Sequence, residues 1–133
     1  MAKKKTIFMI FFILSTGYIF AQTLTVRVEN AEIGRGYLMI GIFNDENNFP
    51  NSYFRGKRIA ATDTVMEITF NDLPFGQYTV SVFQDRSGSG RLSTGIFGIP
   101  TERYGFSNDV RRPNFRGALF DFYGNMTITI RIR

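Results

Sequence analysis

The stretch LPFGQYTVSVFQ, Leu73–Gln84, decides the class of fold. Pro74 fixes its own φ and Gly76 frees the backbone, so Leu73–Gly76 is turn chemistry. Directly after the turn, Tyr78, Val80 and Val82 alternate with Gln77, Thr79 and Ser81. A period of two is the pattern of a strand with one buried face. A turn that feeds straight into such a strand predicts an all-β protein.

The same reading extends in both directions. Leu24, Val26 and Val28 alternate with Thr25, Arg27 and Glu29. Gly36–Phe43 (GYLMIGIF) is a continuous apolar run that suits a central strand. Asn44–Lys57 is polar and reads as a crossover loop with one helical turn. Arg58–Thr62 and Val65–Phe70 are short strands on either side of Asp63. Ala118–Tyr123 and Met126–Ile132 flank Gly124-Asn125, a two-residue link that predicts a tight hairpin. About seven short strands at roughly ten-residue spacing, without a long amphipathic helix, predict a β-sandwich of Ig-like or transthyretin-like type. Asn125-Met126-Thr127 matches a glycosylation acceptor but reads as a turn followed by a strand threonine.

The first residues predict export. Lys3, Lys4 and Lys5 precede the apolar run TIFMIFFIL (Thr6–Leu14), and Ile19-Phe20-Ala21 ends on a small residue. This is the order of a signal-peptide helix cleaved after Ala21. The run is shorter than the ~20 apolar residues of a membrane span, so no span is expected after cleavage. Residues 22–133 then form a single sandwich domain, secreted or periplasmic, with a last strand that leaves no appended sorting domain. Cleavage leaves 112 of the 133 residues and removes three lysines, which lowers the net charge from +5 to +2. That charge, without base-reading motifs or a basic helix, argues against a nucleic-acid partner.

Histidine and cysteine are both absent. This excludes Ser-His-Asp and Cys-His catalysis, imidazole metal sites and a disulfide framework. Lys57 is the one lysine of the mature chain, which argues against a Ser-Lys dyad. Asp45-Glu46, Glu102 and Asp109 are the carboxylates available to a small hydrolase, the least favoured alternative. Glu102 and Arg103 are expected in solvent, with an ion pair from Glu102 to an arginine across the loop as the other option. No cofactor is expected.

The segment Phe97–Phe115 (FGIPTERYGFSNDVRRPNF) holds the candidate binding residues Tyr104, Asn108, Arg111 and Arg112. Arg111 and Arg112, with Arg116 near them and aromatic rings around, suit an anionic glycan, a phosphate or a protein partner. The favoured alternative buries the rings of Phe97, Ile99, Tyr104, Phe106 and Phe115 as a plug and leaves the arginines solvated. Ser107-Asn108 is either a hydrogen-bond donor to a ligand or a turn that satisfies its own backbone, and the turn is favoured.

Ala61–Asp85, with its T-x-F strand and L-P-x-G-x-Y-T-V-x-V, resembles carboxypeptidase regulatory-like, transthyretin-like sandwich modules. A second resemblance spans nearly all of the mature chain. It rests on Gly36–Phe43, Phe49-Pro50, the L-P-x-G-x-Y of Leu73–Tyr78 and above all F-G-I-P-T-E-x-Y-G-F-S-N at Phe97–Asn108, continuing through Pro113, Phe115 and Ala118. These residues are similar to the bacterial family called domain of unknown function 2141. The resemblance implies a small exported bacterial protein and brings no reaction with it. The family often carries a calcium-like D-x-N-x-N-G loop where this chain has Asp85-Arg86-Ser87-Gly88-Ser89-Gly90. Asp85 and the glycine spacing remain, but Ser87 and Ser89 replace ligands, Ile96 stands where a bidentate Glu is needed, and Arg86 and Arg91 repel a cation. A Gly-Ser loop without metal is expected. The function that follows is a non-catalytic structural or binding module whose partner is a protein or glycan of the cell envelope. The alternative is an accessory protein that binds a glycan or envelope ligand through residues 97–115.

Overall fold

The computed structural model describes residues 21–90 and 102–133. The predicted leader, except Ala21, lies outside the described residues, as do Phe97, Ile99, Arg91 and Ile96. The elements are β1 (Ala21–Glu29), β2 (Tyr37–Phe43), β3 (Arg55–Ala60), β4 (Val65–Pro74), β5 (Gly76–Asp85), β6 (Tyr104–Phe106), one helical turn α1 (Phe115–Ala118), β7 (Phe120–Phe122) and β8 (Met126–Arg131). They form an open β-sandwich. One sheet has the order β4-β1-β8, the other β3-β2-β5-β6, with β7 paired to the start of β5. The β1–β8 pair is parallel and the other pairs are antiparallel.

The alternation in β1 sets the register of its sheet. Leu24, Val26 and Val28 are fully buried. They stand opposite Phe70, Ile68 and Met66 of β4 on one side and Met126, Ile128 and Ile130 of β8 on the other. The second sheet answers with Ile40 opposite Val82 and Ile42 opposite Val80. Leu38, Tyr78, Phe122 and Ile132 complete this inter-sheet core. Each such side chain contributes about 1.5–3 kcal/mol by leaving water.

A second apolar cluster lies on the outer face of the larger sheet. Phe106 stands opposite Ser81, on the face that carries Phe43. Phe49, from the β2–β3 loop, packs edge-on against Phe43 at 5.1 Å and against Phe106 and Phe115, each at 5.9 Å. Phe106 is buried and Phe115 half-buried. The aromatic plug therefore exists in the described part of 97–115, but it covers the back of a sheet and stays out of the inter-sheet core.

The open side between β3 and β4 is closed by cations. Arg55 Nη1 and Nη2 donate to the carbonyls of Asn71 and Asp72, each at 2.7 Å. Lys57 Nζ donates to the Thr69 carbonyl and lies 5.0 Å from the Phe70 ring centroid. Edge carbonyls that would template another strand are thus occupied from within.

The sandwich of about seven strands expected from the sequence is present, with eight strands among the described residues. Several finer expectations need correction. Gly124-Asn125 does not form a hairpin, because β7 pairs with β5 and β8 pairs with β1. The two residues carry the chain from one sheet to the other, and Asn125 Oδ1 accepts the Thr23 N–H at 2.8 Å. Asn44–Lys57 is no crossover, since the strands it joins are antiparallel neighbours. It does contain one turn of 3-10 helix, Glu46–Asn48, capped by Asp45. Residues 118 and 119 are not strand, because α1 precedes β7. Glu102 is buried: its Oε2 accepts the backbone N–H of Arg86 at 2.5 Å and of Ser87 at 3.4 Å. Arg103 is half-buried and bridges the Asn30 carbonyl (2.8 Å) and Glu32 Oε1 (3.2 Å). Both residues serve a polar network around the buried Gln84, which holds this end of the sandwich together.

Candidate arginine cleft

The period of two in β8 turns Ile130 and Ile132 inward. Arg131 and Arg133 therefore face out. Past the end of β8, Arg133 crosses to β6, where its N–H and carbonyl exchange hydrogen bonds with Tyr104, each at 3.1 Å. This crossing demands Gly105. A β-carbon there would lie 2.8 Å from Ile130 Cγ2 and 3.0 Å from the Arg131 carbonyl oxygen. After β6 the backbone takes two left-handed steps, at Asn108 (φ 59°) and Asp109 (φ 53°). They turn the chain so that Arg111 and Arg112 come back beside β8. The Tyr104 hydroxyl donates to the Arg111 carbonyl at 3.0 Å and fixes that return.

The result is a cleft of about 260 Å3 lined by Tyr104, Gly105, Asp109, Val110, Arg111, Arg112, Arg131 and Arg133. Among its described lining side chains are four guanidiniums and one carboxylate. Asp109 Oδ1 meets Arg133 Nη2 at 3.4 Å. All four arginines are exposed, so their mutual repulsion is screened, yet their fields add at the cleft mouth. An anion seated there gains planar, bidentate donors that a lysine cluster would not supply.

Of the sequence candidates, Tyr104, Arg111 and Arg112 come together here. Asn108 does not line the cleft. Its Nδ2 donates to the carbonyls of Gly117 (3.1 Å) and Leu119 (2.9 Å) and clasps α1. Ser107 is buried; its hydroxyl accepts the Val80 N–H at 3.0 Å and donates to the Ala118 carbonyl at 2.5 Å. Arg116 turns away to Glu46, at 3.1 Å. Sequence reasoning missed Arg131 and Arg133. The available signal was the isoleucine–arginine alternation at the end of the chain.

The carboxylates are held by protein donors. Asp85 Oδ1 accepts from Ser87 Oγ (3.2 Å) and the Ser89 N–H (3.2 Å), and its Oδ2 accepts the Gly90 N–H at 2.8 Å. Donors thus converge where a cation would need lone pairs. Among the described residues no three His, Cys, Asp or Glu side chains gather as a metal site. Asp45 caps the 3-10 turn through the Asn47 N–H at 2.9 Å. Burial raises the Tyr78 phenol above its ordinary pKa while the Arg55 guanidinium lowers it, so the phenol is neutral at pH 7. It donates to the Pro74 carbonyl at 2.6 Å.

No curated protein and no solved structure matches the chain. The family model described as "Uncharacterized protein conserved in bacteria (DUF2141)" matches residues 26–130. Its bounds run from β1 into β8 and so take in both sheets, the Tyr104 strand and the Arg111-Arg112 turn. The chain belongs to this bacterial family.

Proposed function

We propose that this is an exported, non-catalytic binding module that holds an anionic group of a cell-envelope component in the arginine cleft. One observation carries the reading: Arg111, Arg112, Arg131 and Arg133, distant in sequence, line one cleft with Tyr104. Phosphate, sulfate and uronate groups share the chemistry this lining recognises. Export rests on the basic and apolar order of residues 3–21. The non-catalytic reading rests on the absence of His and Cys and on the engagement of Asp45, Glu46, Asp85, Glu102 and Asp109 by protein donors.

The test is binding to immobilised envelope polysaccharides that bear phosphate or uronate groups, measured across a salt series. Affinity is expected to fall with salt. Replacing Arg111 and Arg112 together by alanine should lower it about tenfold or more, since a charge-assisted hydrogen bond is worth about 1.5–3 kcal/mol. Stability should change by only about 0.5 kcal/mol per exposed position. An affinity for the anionic polysaccharide that does not respond to salt, or one unchanged in the double variant, contradicts the proposal.

A further inference from the structure

β5 starts at Gly76 and reaches the arginine end at Phe83, which stands opposite Tyr104. Tyr78 and Phe83 are five residues apart, about 17 Å along a strand. At the far end lies an aromatic surface of different character. Its cleft, about 570 Å3, includes Asn44, Phe54, Phe75, Gln77, Tyr78 and Tyr123. Among its described lining residues there is no Asp, Glu, Lys or Arg.

Two of the rings are exposed, and the buried Tyr78 and half-buried Phe75 brace them. Tyr123 is 65 % exposed and Phe54 44 %. Phe75 meets Tyr123 edge-on at 6.0 Å and 85°, and it meets the buried Phe122 at 6.2 Å and 86°. Tyr78 stacks behind Phe54 at 6.2 Å and 20°. Large rings of this kind usually leave water. Here they are fixed at the surface by the core beneath them. Two residues with side-chain amides, Asn44 and Gln77, line the same cleft. Gln77 is oriented by its Nε2 bond to Asp121 Oδ1 at 2.9 Å.

We propose that this end binds a neutral oligosaccharide, with the C–H face of a sugar ring against Tyr123 and its hydroxyls on Asn44 and Gln77. A hydroxyl donates and accepts at once, and an amide offers both partners. The lining side chains carry no charge, and the two charges beside them are of opposite sign: the Arg55 guanidinium, 5.8 Å from the Phe54 ring centroid, and the Asp121 carboxylate on Gln77. This favours a neutral ligand over an acidic one. Tyrosine and phenylalanine are smaller platforms than indole, so the expected affinity is weak. The site is separate from the arginine cleft and does not depend on it.

The test is an amide-shift NMR titration of the protein with neutral cello-, xylo-, manno- and chito-oligosaccharides, and with a decaproline peptide. Titration to about 10 mM covers a Kd near 1 mM. At least one saccharide should give saturable shifts at Phe54, Phe75, Gln77 and Tyr123 without moving Arg111, Arg112, Arg131 or Arg133. Tyr123→Ala should weaken that binding roughly tenfold, the equivalent of one well-placed aromatic contact, while Tyr123→Phe retains most of it. Tyr123 is exposed, so the variant should keep the wild-type spectrum elsewhere. No binding by any saccharide, unchanged binding by Tyr123→Ala, or saturation by decaproline alone overturns the proposal.

Discussion

Replacing Gln84 by alanine is expected to lower stability by about 3 kcal/mol or more, read as a fall in the urea midpoint at constant m-value. Gln84 is fully buried. Its Oε1 accepts the Glu32 N–H at 2.8 Å, and its Nε2 donates to the carbonyls of Glu32 (2.7 Å) and Arg35 (2.8 Å). Truncation orphans the Glu32 N–H and the Arg35 carbonyl, each costing about 1–3 kcal/mol when water cannot replace the partner, and leaves the Glu32 carbonyl with only the Arg35 N–H at 3.3 Å. Gln84→Glu keeps the shape but should fare no better, because its second oxygen would face two carbonyls. The loss would be a large share of the 5–15 kcal/mol typical of a whole domain. An unchanged midpoint for Gln84→Ala would mean that water reaches the Glu32–Arg35 turn and that the network is peripheral.

Phe106→Ala is expected to cost about 3 kcal/mol, the lower end of the range for a buried phenylalanine. Phe106 is 6 % exposed and meets Phe49 and Tyr104 edge-on, at 5.9 and 5.8 Å. Its removal opens the cluster on the outer face of the larger sheet, where partial collapse of the loops softens the loss. The contrast with the exposed Arg111 and Arg112 is the informative part. The phenylalanine variant should melt early, whereas the double arginine variant should melt with the wild type and lose only anion binding. If Phe106→Ala unfolds at the wild-type midpoint, the ring is not holding the loop and the plug account fails.

The central strands were legible because their side chains report a face. Leu24, Val26 and Val28 in β1, and Tyr78, Val80 and Val82 in β5, needed only the period of two to be placed inward. Pairing partners were less legible. Gly124-Asn125 suits a hairpin, but a short polar link serves equally well to change sheets, and the three-residue β7 is too short to announce its partner. Half of the arginine cleft was visible, since Tyr104, Arg111 and Arg112 are close in the chain. The isoleucine–arginine alternation turns Arg131 and Arg133 outward, but they join the others only through the crossing of β8 over Gly105, a long-range contact that the alternation does not encode. Asn108 was plausible as a ligand because its letter does not say where its amide points; the left-handed turn directs it to α1. Glu102 breaks the rule that polar residues stay outside, and Gln84 keeps the inward face of Tyr78, Val80 and Val82 in spite of that rule. Their partners are backbone groups from distant loops, and backbone donors and acceptors are invisible in composition.

The most direct test of the anion site is a titration of 15N-labelled protein with inorganic pyrophosphate, followed at the arginine Nε–Hε signals. Arg111, Arg112, Arg131 and Arg133 should shift together and saturably, along with the Tyr104 amide, and the shifts should shrink as salt rises. Arg27, Arg58 and Arg116, which pair with Glu67, the Tyr37 ring and Glu46, should stay in place. Shifts spread evenly over all the arginines, or none at the cleft, would contradict the account.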